Sequence, residues 1–160
     1  MKFTVVSRPK AEKLYINHVK HAWISITDPG QADAALNITD ECQGVLRLQF
    51  HDVTPGLNPS GLKSDILITE FTPMSEDQAQ EIVDFVDRMK DDVNMFFIHC
   101  EAGQCRSAGV AAALCLWLNN GDDSQIADNK FFKPNAHVKS LIMRQIYGNL
   151  TIKGLEKLGL

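Results

Sequence analysis

Short apolar runs alternate along this chain with longer stretches of helical periodicity. Four of the runs have the length and the β-branched or aromatic content typical of strands, and each ends in turn-forming or polar residues. They cover residues 3–7 (FTVVS), 23–27 (WISIT), 45–50 (VLRLQF) and 95–99 (MFFIH). The first run is followed by Arg8 and Pro9, a pair that we interpret as a turn.

The clearest helix is predicted at residues 75–90 (SEDQAQEIVDFVDRMK). Ser75 is a suitable N-cap, and the acidic residues that follow it complement the positive end of the helix dipole. Apolar residues recur every three or four positions on one face. These are Ala79, Ile82, Val83, Val86 and Met89.

A second helix is predicted from Arg106 or Ser107 to about Asn119, where an Asn-Asn-Gly sequence would end it. It is apolar nearly all round, as expected of a helix buried in a core. Two further helices are expected around residues 135–146 and near residues 152–158. The alternation of strands and helices predicts an α/β fold, with a mainly parallel central sheet of four to five strands flanked by helices on both faces.

One segment does not fit this alternation. Residues 53–72 (VTPGLNPSGLKSDILITEFT) are rich in Pro and Gly in their first half and predict a long loop, with a short helix or strand at residues 65–69. Loops of this length in compact domains are often functional lids. A tolerated surface insertion is the alternative.

The composition is that of a single globular domain over residues 1–160, with 44% hydrophobic and 22% charged residues. The net charge is −4, and no cluster of Lys and Arg indicates a nucleic-acid or anionic-membrane surface. No apolar run approaches the roughly 18 residues of a membrane span, and the N-terminus lacks the apolar stretch of a signal peptide. We therefore expect a cytoplasmic protein, with neither nucleic acid nor membrane as a partner.

The chain has four cysteines. Cys115 lies in an apolar helix and is interpreted as a small buried residue, whereas Cys42 lies in a polar stretch and has no evident role. Cys100 and Cys105 lie in IHCEAGQCRSAG, which suggests a metal site, a redox pair, a buried core or an anion cradle. The Cys-x4-Cys spacing has no second pair to complete a zinc site, and no Cys-x-x-Cys is present.

The cradle explains this stretch best. An apolar strand, a glycine-containing loop and a helix would bring backbone N–H groups and a helix N-terminus to one point, which favours a bound phosphate. Gly103 allows the loop to curl, and Arg106 can offer two donors to phosphate oxygens. A thiolate at Cys100 would be stabilised by the same dipoles and placed for in-line attack on phosphorus. A core-only interpretation would leave Arg106 buried without a reason.

The run from His99 to Ser107 (HCEAGQCRS) matches the H-C-x-x-G-x-x-R-S signature of the cysteine-dependent tyrosine and dual-specificity phosphatases. The chain therefore resembles this superfamily, and the order and size of its other elements resemble a compact bacterial tyrosine-phosphatase-like domain. The resemblance implies that Cys100 is the nucleophile and that Arg106 holds phosphate in the transition state. It implies that Ser107 assists release of the thiolate and that His99 orients the loop. The phosphate would be bound by backbone groups of Glu101, Ala102, Gly103, Gln104, Cys105 and Arg106.

The same resemblance implies an aspartate that protonates the leaving group from a loop after an earlier strand, and Asp52 matches it. The interval from Asp52 to Cys100 is longer than in related domains, which leaves Asp65, or no essential aspartate, as alternatives. Arg8, Asp28 and His51 also follow predicted strands. Each is a candidate for the pocket rim, with a turn or capping role as the alternative.

These features predict a metal-independent phosphatase without cofactors, which acts on a phosphorylated protein or peptide. The variable loop positions carry no lysine, which favours phosphotyrosine over a polyphosphorylated head group. A catalytically weak phosphoprotein-binding module and a phosphatase for another phosphate ester remain as alternatives. Cys105 either fills a small-residue position or traps an oxidised Cys100 as a disulfide. The sequence does not indicate the oligomeric state.

Overall fold

The structure of this protein is a computed structural model that describes residues 1–55 and 71–148. The strands are β1 (Lys2–Ser7), β2 (His21–Thr27), β3 (Cys42–Gln49) and β4 (Met95–Cys100). The helices are α1 (Arg8–Lys13), α2 (Glu76–Met89), α3 (Arg106–Leu118), α4 (Ser124–Ala127) and α5 (Ala136–Tyr147).

The four strands form one parallel sheet in the order β1-β4-β2-β3. Ser7 of β1 pairs with Cys100 of β4, and Ser25 of β2 pairs with His99. The carboxyl ends of β1, β2 and β4 therefore lie at the same edge of the sheet, where α/β folds bind their ligands. The predicted α/β fold with a parallel sheet is confirmed.

Alternate residues of β4 face opposite sides of the sheet. Phe96 and Ile98 belong to the larger apolar cluster, which also contains buried residues of α2, α3 and α5. Phe97 packs in a smaller cluster on the other side, with Trp23 of β2 and Ala11 of α1. Helices thus flank both faces of the sheet, as the sequence predicts.

The predicted helix at residues 75–90 is α2, and its N-terminus has a complete capping box. The Ser75 hydroxyl accepts from Gln78 N at 3.1 Å, while Gln78 Oε1 accepts from Ser75 N at 3.0 Å. Strand β3 begins at Cys42, earlier than the apolar run at 45–50 predicts, because pairing with β2 continues as far as His21 and Cys42. The hydrogen-bonded strand is thus longer than its apolar pattern.

The interpretation of Arg8 and Pro9 as a turn is wrong, because α1 begins at Arg8. The proline lies in the first helical turn, where its missing N–H leaves no internal helix bond unmade. Ser7 caps the helix by accepting from Lys10 N at 3.4 Å. The short helix α4 is also absent from the sequence prediction.

Two predictions lie outside the described residues: the short element at 65–69 and the helix near 152–158. No helix in the described ranges is both long enough and apolar enough to cross a bilayer.

Candidate active site

The loop at residues 101–105 joins the end of β4 to the start of α3. It lies against β1, because Arg8 N donates to Glu101 O at 3.1 Å. Gly103 has φ +65°, and a Cβ at this position would lie 2.4 Å from Ser7 N. Only glycine therefore allows the loop to curl this tightly against the end of the neighbouring strand.

The backbone N–H groups of the loop have no acceptor within the described part of the chain, from Glu101 through Cys105. Buried or half-buried N–H groups normally find a partner in the protein or in a ligand. Consecutive N–H groups beside a helix N-terminus form a site for an anion. The local backbone is thus suited to hold a phosphate-sized group above the end of β4.

Cys100 lies at the base of this loop, with 2% of its surface exposed. Its Sγ is 3.0 Å from Oγ of Ser107, which is fully buried in the first turn of α3. When the sulfur is a thiolate, the hydroxyl is the donor of this pair. The contact therefore gives Ser107 a means to stabilise negative charge on the sulfur.

Arg106 is 5% exposed and begins α3. Its Nη1 donates to Asp28 Oδ1 at 2.6 Å and to Phe50 O at 2.7 Å. Its Nε is buried and has no partner among the described residues. A buried guanidinium donor without an acceptor is costly, and a bound oxyanion would satisfy it.

His99 is fully buried at the end of β4. Its Nδ1 is 3.3 Å from Cys100 O, and its Nε2 is 2.6 Å from Ser25 Oγ. A carbonyl only accepts, so Nδ1 carries the proton and the Ser25 hydroxyl can donate to Nε2 of a neutral ring. Burial lowers the pKa of His99, and the nearby Arg8 acts in the same direction, whereas the bond to Cys100 O opposes them. The neutral ring thus anchors the peptide group of Cys100.

Asp52 follows β3 and lies near the loop. Its Oδ1 accepts from Asn135 Nδ2 at 2.8 Å. Asn135 also donates its backbone N–H to Cys105 O at 3.0 Å, and its Oδ1 caps α5 by accepting from Val138 N at 3.1 Å. One residue thus joins the Asp52 segment, the loop at residues 101–105 and the start of α5.

The position of Asn135 depends on a close contact between helices. A Cβ on Gly109 of α3 would lie 2.8 Å from Asn135 O, and the Val138 side chain packs at 3.2 Å from the same point. A larger residue at Gly109 would push the start of α5, and therefore the Asn135 amide, away from the loop.

Cys105 is half-buried beside Asp52. Burial raises the pKa of the Cys105 thiol to about 11, with the Asp52 carboxylate acting in the same direction and Lys133 against it. The thiol is therefore neutral near pH 7. Asp52 thus lies beside the loop at Cys105.

The three rim candidates all lie at this edge of the sheet. Arg8 donates to Glu101 Oε1 at 3.2 Å and to Ala32 O at 2.8 Å. Asp28 contacts Arg106, as described above. His51 Nδ1 accepts from Thr72 N at 2.8 Å, and its ring packs edge-on against Phe71 with centroids 5.1 Å apart.

The structure thus brings His99, Cys100, Arg106, Ser107 and Asp52 together, whereas Asp65 lies outside the described residues. Among the loop residues, Ala102 is exposed and Gln104 is half-buried. The sequence interpretation missed Ser25 and Asn135. The only sequence feature that could have identified Asn135 is its suitability as an N-cap at the start of a predicted helix. Ser25 has no such feature beyond being a polar residue within a strand.

Within residues 1–55 and 71–148, no group of three or more His, Cys, Asp or Glu side chains has the arrangement of a metal site. No family model and no curated protein matches the sequence.

Solved structures do match the fold. Human DUSP28 aligns over 91% of this chain and 91% of its own, with a TM-score of 0.55 and 12% identity. The PTP-2 phosphatase of Cydia pomonella aligns over 89% and 84%, with a TM-score of 0.53 and 16% identity. PTPMT1 in complex with PI(5)P aligns over 91% and 90%, with a TM-score of 0.51 and 12% identity. The chain therefore has the fold of the dual-specificity and tyrosine phosphatases.

Proposed function

We propose that this protein is a phosphatase that hydrolyses phosphate monoesters through a cysteinyl-phosphate on Cys100. The proposal depends on one juxtaposition. The Cys100 thiol lies at the base of the loop at residues 101–105, whose N–H groups have no acceptor among the described residues. The buried Nε of Arg106, which follows the loop, has no partner among them either. These donors supply positive potential where charge develops on a transferring phosphoryl group, and each such donor is typically worth about 10²–10³ in rate.

In the first step, the Cys100 thiolate attacks phosphorus in line with the ester oxygen. The S–P bond forms as the P–O bond breaks, and the ester oxygen takes a proton from the carboxylic acid of Asp52. Asn135 holds the Oδ1 atom of Asp52, which leaves Oδ2 to carry that proton. General acid catalysis of this kind contributes about 10²–10⁴ in rate.

In the second step, water attacks the cysteinyl-phosphate. The Asp52 carboxylate takes a proton from the water as the new P–O bond forms, and the S–P bond electrons return to Cys100. Ser107, 3.0 Å from the sulfur, donates to the departing thiolate. Inorganic phosphate leaves, and Asp52 is again protonated for the next cycle. A reducing compartment such as the cytosol would keep Cys100 reduced and so able to act as the nucleophile.

We further propose phosphotyrosine in a protein as the substrate. The side chains of the loop include no cation between Cys100 and Arg106, and Glu101 presents a carboxylate at the rim, where it pairs with Arg8. The additional phosphates of a polyphosphorylated head group would be repelled by this carboxylate, whereas phosphotyrosine brings one phosphate on an aromatic stem. The exposed aromatic side chains of Phe71 and Phe131 are available to such a stem.

The test is turnover of p-nitrophenyl phosphate in the presence of a chelator, by the wild-type chain and by Cys100→Ser. A matched control is Cys42→Ser, which removes a half-buried thiol of β3. We expect turnover by the wild-type and Cys42→Ser proteins and none by Cys100→Ser. A panel of phosphotyrosine peptide, phosphoserine peptide, a nucleotide and PI(5)P vesicles then gives the substrate class.

Lack of turnover by the wild-type chain, together with binding of a phosphopeptide, would replace this proposal with a phosphoprotein-binding module. A higher kcat/KM for PI(5)P vesicles than for the phosphotyrosine peptide would be compatible with the cysteinyl-phosphate mechanism but would refute phosphotyrosine as the preferred substrate. Turnover that survives Cys100→Ser would refute the cysteinyl-phosphate.

A further inference from the structure

The segment at residues 130–135 lies alongside the phosphate-binding loop. Gln104 Nε2 donates to Phe131 O at 3.0 Å, and Lys133 N donates to Gln104 O at 2.9 Å. The Asn135 bond to Cys105 O continues the same contact. Three hydrogen bonds to two consecutive loop residues therefore fix this segment at the rim of the candidate site.

The segment has a defined shape. Asn129 forms a turn in which its Oδ1 accepts from Phe131 N at 3.0 Å and its carbonyl accepts from Phe132 N at 3.1 Å. Phe132 packs against the main apolar cluster, and its ring contacts Phe131 edge-on with centroids 5.9 Å apart. Phe131 is 57% exposed. The partly buried Phe132 thus anchors a turn that presents Phe131 to solvent.

Two lysines flank the exposed ring. Lys130 and Lys133 are exposed, and in the described ranges neither ammonium lies within ion-pair distance of a carboxylate. By contrast, Arg8 at another part of the rim pairs with Glu101 and Glu12. The turn therefore offers two positive charges that pair with no carboxylate of residues 1–55 or 71–148, on a chain whose net charge is −4.

We propose that Lys130, Phe131 and Lys133 form a recognition surface for acidic residues that flank phosphotyrosine in a peptide substrate. This inference rests on the proposed function and names its substrate more closely. Phe131 contacts the apolar part of the bound peptide, and the two ammonium groups attract Glu or Asp side chains beside the phosphorylated residue. Such rim charges act mainly on partner choice and on encounter, and salt screens them.

The experiment compares two phosphotyrosine peptides that differ only in their flanking residues, Glu in one and Gln in the other. The quantity measured is the ratio of kcat/KM for the acidic peptide to that for the neutral peptide. The variants are Lys130→Gln with Lys133→Gln, and Lys130→Glu with Lys133→Glu. The matched control is Lys2→Gln with Lys20→Gln, which removes the same charge from exposed positions at the amino ends of β1 and β2.

We expect the wild-type chain to prefer the acidic peptide by about fivefold at low ionic strength, as two exposed ion pairs allow. The Gln double variant should bring the ratio close to one, and the Glu double variant should invert it. The control should keep the wild-type ratio. At about 1 M salt, where the Debye length is about 3 Å, the wild-type ratio should also approach one.

A wild-type ratio of one at low salt, or a control that lowers the ratio as far as the Gln variant does, would overturn the recognition surface. In either case the proposed function would stand if p-nitrophenyl phosphate is still hydrolysed. A preference for PI(5)P vesicles over both peptides would likewise overturn the recognition surface. A wild-type chain that hydrolyses none of these compounds would refute the proposed function itself.

Discussion

Asp28 Oδ1 lies 2.6 Å from Nη1 of Arg106, so the carboxylate at the end of β2 fixes the guanidinium that begins α3. The Arg106 side chain is 6% exposed, whereas that of Asp28 is 40% exposed. The same nitrogen also donates to Phe50 O. Because Nη1 is occupied twice, the orientation of the guanidinium plane is set before a phosphate arrives, and Nε is left for the ligand.

Asp28→Ala should therefore lower kcat/KM by about tenfold, since a hydrogen bond between charged groups contributes about 1.5–3 kcal/mol and solvent weakens this one. Asp28→Asn retains an acceptor and should recover part of the loss. Steady-state kinetics with p-nitrophenyl phosphate measures both variants, with inhibition by inorganic phosphate as a second readout of Arg106 geometry. Wild-type kinetics in Asp28→Ala would show that Arg106 is positioned by other contacts.

Asp52→Asn should lower kcat for a phosphotyrosine peptide by about 10²–10⁴ and affect p-nitrophenyl phosphate less, because p-nitrophenolate leaves more easily without a proton. Asn135→Ala should cause a smaller loss with the same dependence on the leaving group, since the Asp52 carboxyl group remains and loses only the bond that orients it. The variant also removes the N-cap of α5, which should lower stability without changing the dependence on the leaving group. Asp65→Asn is the matched control. Full activity of Asp52→Asn on the peptide, together with loss of that activity in Asp65→Asn, would show that Asp65 is the general acid.

The buried neutral His99 makes stability depend on pH. Its pKa is lower in the folded protein than the ordinary value of 6.5, so the unfolded chain binds the proton more readily. Stability from this residue is full above about pH 6.5 and is lost as the pH falls from there through the folded-state pKa. Urea midpoints measured between pH 7.5 and 5.5 should therefore fall less in His99→Asn than in the wild-type chain. The exposed His18→Asn should follow the wild-type slope, and an equal fall in all three would contradict this role.

Cys105 gives a redox prediction. Mild peroxide should oxidise the Cys100 thiolate to sulfenic acid, and the Cys105 thiolate should displace hydroxide to form a disulfide that reductant reopens. Because the pKa of Cys105 is raised to about 11, the fraction of its thiolate, and hence disulfide formation, should increase with pH across the neutral and alkaline range. Cys105→Ser should lose the activity that reductant restores after peroxide, and Cys42→Ser should keep it. Unchanged recovery in Cys105→Ser would leave Cys105 as a space-filling residue.

The sequence predicted the parts of this molecule that depend on local patterns. Apolar runs located the four described strands, and Ser75 with the periodicity after it located α2. Helix α1 was missed because Arg8 and Pro9 are as suitable for the first turn of a helix as for a turn, and the capping by Ser7 decides between them.

The site was predictable as far as its residues are adjacent in sequence. The run from His99 to Ser107 contains most of the candidate site residues in nine consecutive positions. The Asn135 contact with Asp52 joins residues 83 positions apart, and the His99 contact with Ser25 joins residues 74 positions apart. Such pairs follow from the sheet order and the packing of α5 on α3, and neither has a local sequence signature.

If the phosphoryl group passes through Cys100, the mass of the intact chain should increase after acid quenching of the reaction with p-nitrophenyl phosphate. Asp52→Asn should accumulate the intermediate, because hydrolysis of the S–P bond also uses this carboxylate. We expect one phosphoryl group per chain, mapped to Cys100 and absent when Cys100→Ser is added. Continued turnover by Cys100→Ser, or a phosphoryl group on any other residue, would contradict it.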